Sequence, residues 1–273
     1  VPWPPKENVK LYKPALPDRY RKLVAGLGVV GAIEVEASPW LEDNQWVLDI
    51  AAPDSLILGM IGNLEPDKPD FRKNLDRFRK NPMFLGIRYG NLWGRDFSAA
   101  LTKPEFMAGM KALSQAGLTL DAANPSPALI VNLLKLTDQV PDLRIVINHL
   151  PRMNPPQDSA PRIEFEKNLA ALAQRSQVYA KLSGVLRPVE GRVPLDMAFY
   201  KPRLDFLFGL FGPDRVVYGS DWPNSDNWGT YLEGLTVVQQ YFAAKDRSEA
   251  EKYFWRNSVA AYRWKKRDAT QPG

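Results

Sequence analysis

The chain has 273 residues, 45% of them apolar, with 36 Lys+Arg against 31 Asp+Glu, no cysteine and a single histidine. At about 150 residues per domain this supplies ample material for a buried core, and it excludes a disordered chain. The absence of cysteine excludes disulfides, a thiol nucleophile and a zinc ribbon, and one histidine excludes a metal site built from two or three histidines of this sequence.

The net charge is +5, with basic and acidic residues interspersed. Only Arg263, Lys265, Lys266 and Arg267 form a cluster, read as a solvated terminal helix end rather than a nucleic-acid or membrane patch. No stretch approaches the roughly 18 to 20 apolar residues of a membrane span, and the opening residues lack the blocks of a signal peptide. Neither nucleic acid nor membrane is an expected partner. A cytoplasmic setting is the expectation, although a processed chain would read the same way.

Runs rich in β-branched residues recur along the chain, each followed by a segment of helical periodicity. The predicted strands are Val29 to Glu36, Leu56 to Gly62, Phe84 to Tyr89, Leu118 to Ala122, Leu143 to His149, Val178 to Ser183 and Arg215 to Ser220. Between them, apolar residues fall on one helix face: Phe71, Leu75 and Phe78; Leu129, Leu133, Leu136 and Val140; Phe165, Leu169 and Leu172; Tyr231, Leu235, Val238 and Phe242. The strands are mostly continuous apolar runs, as expected when protein covers both faces. This alternation predicts an α/β chain folded as a single (β/α)8 TIM barrel domain over residues 1–273, with a doubly wound open sheet as the other candidate. A helical segment, Pro17 to Leu27, stands ahead of the first visible strand, and Pro2, Pro4 and Pro5 make the opening residues poor strand. Either the first barrel strand lies outside this sequence, or the barrel is closed by an element the pattern does not reveal.

In such a barrel the chemistry sits at the C-terminal strand ends. Those ends carry Glu34 and Glu36, Asn63, Arg88 and Tyr89, Asp121, Asn148 and His149, Lys181 and Ser183, and Asp221. Asp221 follows the apolar strand Val216 to Tyr218 and stands between Gly219 and Pro223. A carboxylate there can bind a metal or take a proton from water; the bland alternative is a helix cap. His149, the only histidine, ends another strand. Arg88 can bind a carboxylate or polarise a carbonyl, or it can be a structural partner of Glu34, Glu36 or Asp121. Gly26, Gly28 and Gly31 precede their strand, so they are no dinucleotide turn, and Ser183 lacks a nucleophile elbow.

The runs Ile147-Asn148-His149, Lys181-Leu182-Ser183-Gly184 and Tyr218-Gly219-Ser220-Asp221-Trp222-Pro223 come in the order found in the amidohydrolase superfamily. With Val35 to Ser38 and Tyr253 to Ser258, the chain resembles that superfamily's lactonase-like branch of sugar-acid and pyrone dicarboxylate lactonases. The resemblance implies hydrolysis of a small polar lactone. Asp221 would activate water, His149 and Arg88 would stabilise the carbonyl oxygen, and Glu36, Tyr89, Asp121 and Asn224 would shape the substrate pocket. It also implies one divalent metal, zinc foremost, with His149 and Asp221 as candidate ligands, although the branch includes metal-free members. Its His-x-His pair on the first strand has no counterpart here: either that strand lies outside this sequence or the pair has been lost. The competing expectations are a metal-dependent decarboxylase of the aminocarboxymuconate type and a non-catalytic binding barrel. A small-molecule substrate is the expected partner, with association of copies through helix faces.

Overall fold

The computed structural model describes residues 2–272. Seven parallel strands lie side by side in chain order: β1 (Ala32–Val35), β2 (Ile57–Gly62), β3 (Phe84–Gly90), β4 (Thr119–Ala123), β5 (Ile145–Ile147), β6 (Val178–Ser183) and β7 (Val216–Gly219). Each lies within or close to its predicted run. The first is shorter than expected, Ala32–Val35, and is preceded by Gly26 and Gly28, which both take left-handed conformations with φ of 76° and 75° and turn the chain ahead of it. The same turns cut the opening helix back to α1 (Pro17–Leu23).

Helices fill the crossovers and cover the outer face: α2 (Leu41–Ala51), α3 (Phe71–Phe78), α4 (Phe97–Leu101), α5 (Pro104–Gln115), α6 (Pro127–Gln139), α7 (Ser159–Ala173), α8 (Met197–Phe211) and α9 (Tyr231–Ala243), followed by α10 (Arg247–Glu251) and α11 (Asn257–Tyr262). Apolar side chains separate into two cores. The larger lies between strands and helices and contains Phe71, Leu75, Leu133, Leu169 and Leu235. A smaller cluster joins Leu58, Ile61, Leu85, Val146 and Val217 to Tyr262 and Trp264. This is the layered architecture of a TIM barrel.

Seven of the eight expected strands are present. Among the described residues no strand precedes α1, and β1 and β7 each have only one hydrogen-bonded neighbour, so the sheet keeps two open edges. The basic tail departs from expectation at its end. The Arg267 guanidinium donates through Nη1 to the carbonyls of Ala51 (2.8 Å), Asp54 (3.0 Å) and Ile57 (2.6 Å) and through Nη2 to Ala52 (2.6 Å). Gln271 Nε2 reaches the carbonyls of Val30 at 3.1 Å and Ser55 at 2.7 Å. Arg263, Lys265 and Lys266 are exposed as expected, while Arg267 and Gln271 make the end of the chain a strap across the α2–β2 turn.

Candidate active site

Pleating decides what the site contains. In β3, Arg88 stands level with Asp121 of β4, and Asp121 with Val146 of β5. Successive side chains alternate faces, so a residue next to an inward one points outward. Arg88 lines the central cavity, while Tyr89 lies in the outer core with ring centroids 5.1 Å from Phe106 and 5.9 Å from Phe97. The expectation that Tyr89 shapes the substrate pocket is therefore corrected.

Four strand exits break this alternation. Trp93, Asn124, His149 and Asp221 follow β3, β4, β5 and β7, and each has a positive φ, between 51° and 61°. Non-glycine residues rarely adopt this region, and such strain concentrates at functional sites. At β5 and β7 it lets neighbours face the same space: Asn148 with His149, and Ser220 with Asp221, line a cavity of about 870 Å³ that also contains Arg88 and Glu36.

Asp221 is held from one side. Its Oδ2 accepts from Arg152 Nη1 at 2.7 Å and from Asn224 Nδ2 at 2.8 Å, while its Oδ1 lies 3.4 Å from His149 Nε2. Asn224 therefore serves the carboxylate and does not line the cavity. His149 Nδ1 is 2.8 Å from Ser183 Oγ. Burial lowers the imidazole pKa to about 4, with Asp221 pulling it up and Arg88, Arg152 and Lys181 pushing it down. His149 is thus neutral at pH 7. With Ser183 donating its hydroxyl proton to Nδ1, the remaining N–H sits on Nε2 and faces Asp221 and the cavity.

Beneath them lies a closed polar floor. Asp121 is fully buried; its Oδ2 accepts from Lys181 Nζ at 2.6 Å and Asn148 Nδ2 at 2.9 Å, and its Oδ1 from Tyr262 OH at 3.0 Å. Fully buried and outside the cavity lining, it is beyond a ligand's reach, which corrects the expectation that Asp121 contacts substrate. Its role is to fix Lys181 and Asn148, which do line the cavity.

On the far wall, Trp93 Nε1 donates to Glu36 Oε2 at 3.1 Å, and Arg95 Nη1 stands 3.7 Å from Oε1. Arg88 Nη1 donates to the Glu36 backbone carbonyl at 3.2 Å, while its Nε is shielded and unpartnered. Burial raises the Glu36 carboxyl to about 7 against the opposing pull of Arg88, Trp93 and Arg95. Burial and the Glu36 charge raise half-buried Glu34 to about 8, and its Oε2 has no partner.

Sequence reasoning missed Arg152, Trp93 and Arg95, all beyond the strand ends. Arg152 lies on the short 3-10 turn Leu150–Arg152 directly after His149. The one signal was the glycine of Lys181-Leu182-Ser183-Gly184, whose backbone accepts from this arginine. As for a metal, His149 and Asp221 are adjacent donors, but among the described residues no third His, Cys, Asp or Glu joins them. A catalytic zinc takes three protein ligands, and Arg152 already occupies Asp221 Oδ2, so these two residues alone do not hold the ion.

The parallel barrel sheet, with Asp221 and His149 side by side at its C-terminal rim, has the architecture of an α/β-barrel enzyme. The amidohydrolase family model matches residues 4–264, and the chain belongs to that family. It is 28% identical over 243 residues to an L-fucono-1,5-lactonase of Burkholderia ambifaria, an alignment covering 87% of this chain and 81% of that protein. Among solved structures it resembles an amidohydrolase from Burkholderia multivorans with bound zinc, with a TM-score of 0.79 at 18% identity over 92% of this chain and 89% of that one. It also resembles an Acinetobacter baumannii protein named as a 2-pyrone-4,6-dicarboxylic acid hydrolase and crystallised with citric acid, with a TM-score of 0.73 at 18% identity over 93% and 92%. No helix among the described residues is long and apolar enough to cross a membrane.

Proposed function

We propose that this chain is a lactonase that opens a small, hydroxylated or carboxylated cyclic ester. One observation carries the reading: Asp221 is fixed through Oδ2 by Arg152 and Asn224, which leaves Oδ1 turned to the His149 imidazole on the cavity wall. Its similarity to a sugar-acid lactonase supports the substrate class.

A lactone needs a positioned water and stabilisation of the developing oxyanion, with no covalent nucleophile. Asp221 Oδ1 takes a proton as water oxygen bonds to the carbonyl carbon. The carbonyl π electrons move to oxygen, where His149 Nε2–H and the Arg88 guanidinium meet the charge. Collapse of this intermediate re-forms the carbonyl and breaks the ring C–O bond. The proton on Asp221 passes to the departing alkoxide, and the new carboxylic acid loses its own proton to solvent, leaving a hydroxy-carboxylate. Glu36 and Lys181, on the same cavity, supply polar contacts to substrate hydroxyl or carboxylate groups.

The test is hydrolysis of a panel of aldonolactones and carboxylated lactones, followed by Asp221→Asn on the best substrate. Loss of the base is expected to lower kcat by about 10²- to 10⁴-fold. Undiminished turnover by the variant would sink this mechanism.

A further inference from the structure

We propose that Arg152 is the positioning residue for the Asp221 base, and that Gly184 is kept free of a side chain so that the guanidinium can lie between them. The inference rests on the lactonase reading and deepens it: it turns the Arg152 contact into a kinetic role and adds Gly184, to which that reading assigns none.

The geometry is a three-part relay. Arg152 follows His149 by three residues, and its backbone N–H donates to the His149 carbonyl at 2.9 Å, which ties the turn to the imidazole. The guanidinium then spans two loops. Nε donates to the Gly184 carbonyl at 2.8 Å, just beyond β6, and Nη1 donates to Asp221 Oδ2 at 2.7 Å, just beyond β7. A planar fork that donates in two fixed directions sets the angle of what it holds, which the single point charge of a lysine ammonium does not. The Trp228 ring packs 6.0 Å from the guanidinium carbon and limits its movement on another side.

Gly184 is the independent observation. A Cβ built there would stand 2.6 Å from the Arg152 Cζ and 2.7 Å from Nε and Nη2, closer than atoms can approach. Gly184 also sits at φ 57°, which strains any side chain by itself; in addition, a Cβ there presses on the guanidinium, which lies flat against bare backbone, and pushes it off the line from the Gly184 carbonyl to Asp221. Asp221 needs such an external hold because it sits at φ 61°, off the regular strand. Asn224 alone, three residues along the same loop, would move with it.

Misplacing a catalytic group by about 1 Å can cost about 10²-fold in rate. Arg152→Gln is therefore expected to lower kcat by about 10²-fold on the best lactone, with KM changing less than about threefold. Gly184→Ala, which alters neither Arg152 nor Asp221, should reproduce the kcat loss. The double variant should be no slower than Arg152→Gln, because both changes break one relay. Guanidinium ion added to Arg152→Ala should restore part of the lost kcat. A rise in KM at constant kcat, or losses that multiply in the double variant, would overturn the proposal. Thermal melting gives a readout independent of turnover: Gly184→Ala should lower Tm more in the parent than on an Arg152→Ala background, and equal lowering overturns the proposal. A folded parent that opens no lactone in the panel would refute the lactonase reading, and the melting cycle would then decide Arg152 by itself.

Discussion

Arg88 and Tyr89 are neighbours in sequence and opposites in space. The guanidinium lines the cavity, and the phenol packs on Phe97 and Phe106 behind the sheet. Tyr89→Phe is therefore expected to leave kcat/KM within about twofold of the parent, since no transition-state contact is removed. A large kinetic loss on removing that hydroxyl would mean that Tyr89 reaches the substrate after all. The strand-end pattern made Arg88, His149 and Asp221 legible from the sequence, because each closes an apolar run. It does not separate the two faces of a strand end when both residues are polar, which is the case of Arg88 and Tyr89; nor does it give depth, and Asp121, level with Arg88 on β4, lies buried beneath the cavity. Asp121 is held there by Lys181, Asn148 and Tyr262, and that network depends on partners up to 141 residues away in the chain.

At the level of elements, the seven strands were readable because buried parallel strands are continuous apolar runs separated by amphipathic helices. Residues beyond the strands were not readable, because turns and tails take their structure from tertiary contacts. Arg267 shows this: in sequence it belongs to a basic cluster, yet in the fold its guanidinium collects four backbone carbonyls around the end of α2 and the start of β2. Hydrogen bonds from a charged donor contribute roughly 1.5–3 kcal/mol each where buried, and less where solvent competes, as it does here in part. Arg267→Ala should lower unfolding stability by about 2 kcal/mol in a urea titration while leaving kcat unchanged. A shift of a few tenths would show that the strap is only surface decoration.

For the molecule as a whole, three groups on the cavity wall that titrate between about pH 4 and 8 set how stability responds to pH over that range. Glu34 and Glu36 are raised from an ordinary 4.5 to about 8 and about 7, so the native state holds two protons that the unfolded chain gives up above about pH 4.5. Their contribution is complete below that pH and is lost as pH rises through 7 and 8. His149 acts in the opposite sense: lowered from 6.5 to about 4, it contributes above pH 6.5 and loses that contribution as pH falls through 4. Between 4.5 and 6.5 two carboxyls outweigh one imidazole, and from 6.5 to 8 the carboxyls act alone. Tm should therefore fall as pH is raised from 6.5 to 8, and Glu34→Gln with Glu36→Gln should flatten that fall. A Tm that rises over this interval in the parent would contradict the placement of both carboxyls.

The left-handed backbone at His149 and Asp221 sets function against durability. Each such residue costs of order 1–3 kcal/mol, a debt borne by the rest of the barrel and removed by glycine, which occupies that region freely. His149→Gly should thus be catalytically dead yet lose less Tm at pH 7 than His149→Ala, which empties the same volume and keeps the backbone strain. Selection for heat resistance alone would then erode the rim before the core, and a thermostable variant of this chain that keeps its activity must draw its gain from elsewhere in the molecule.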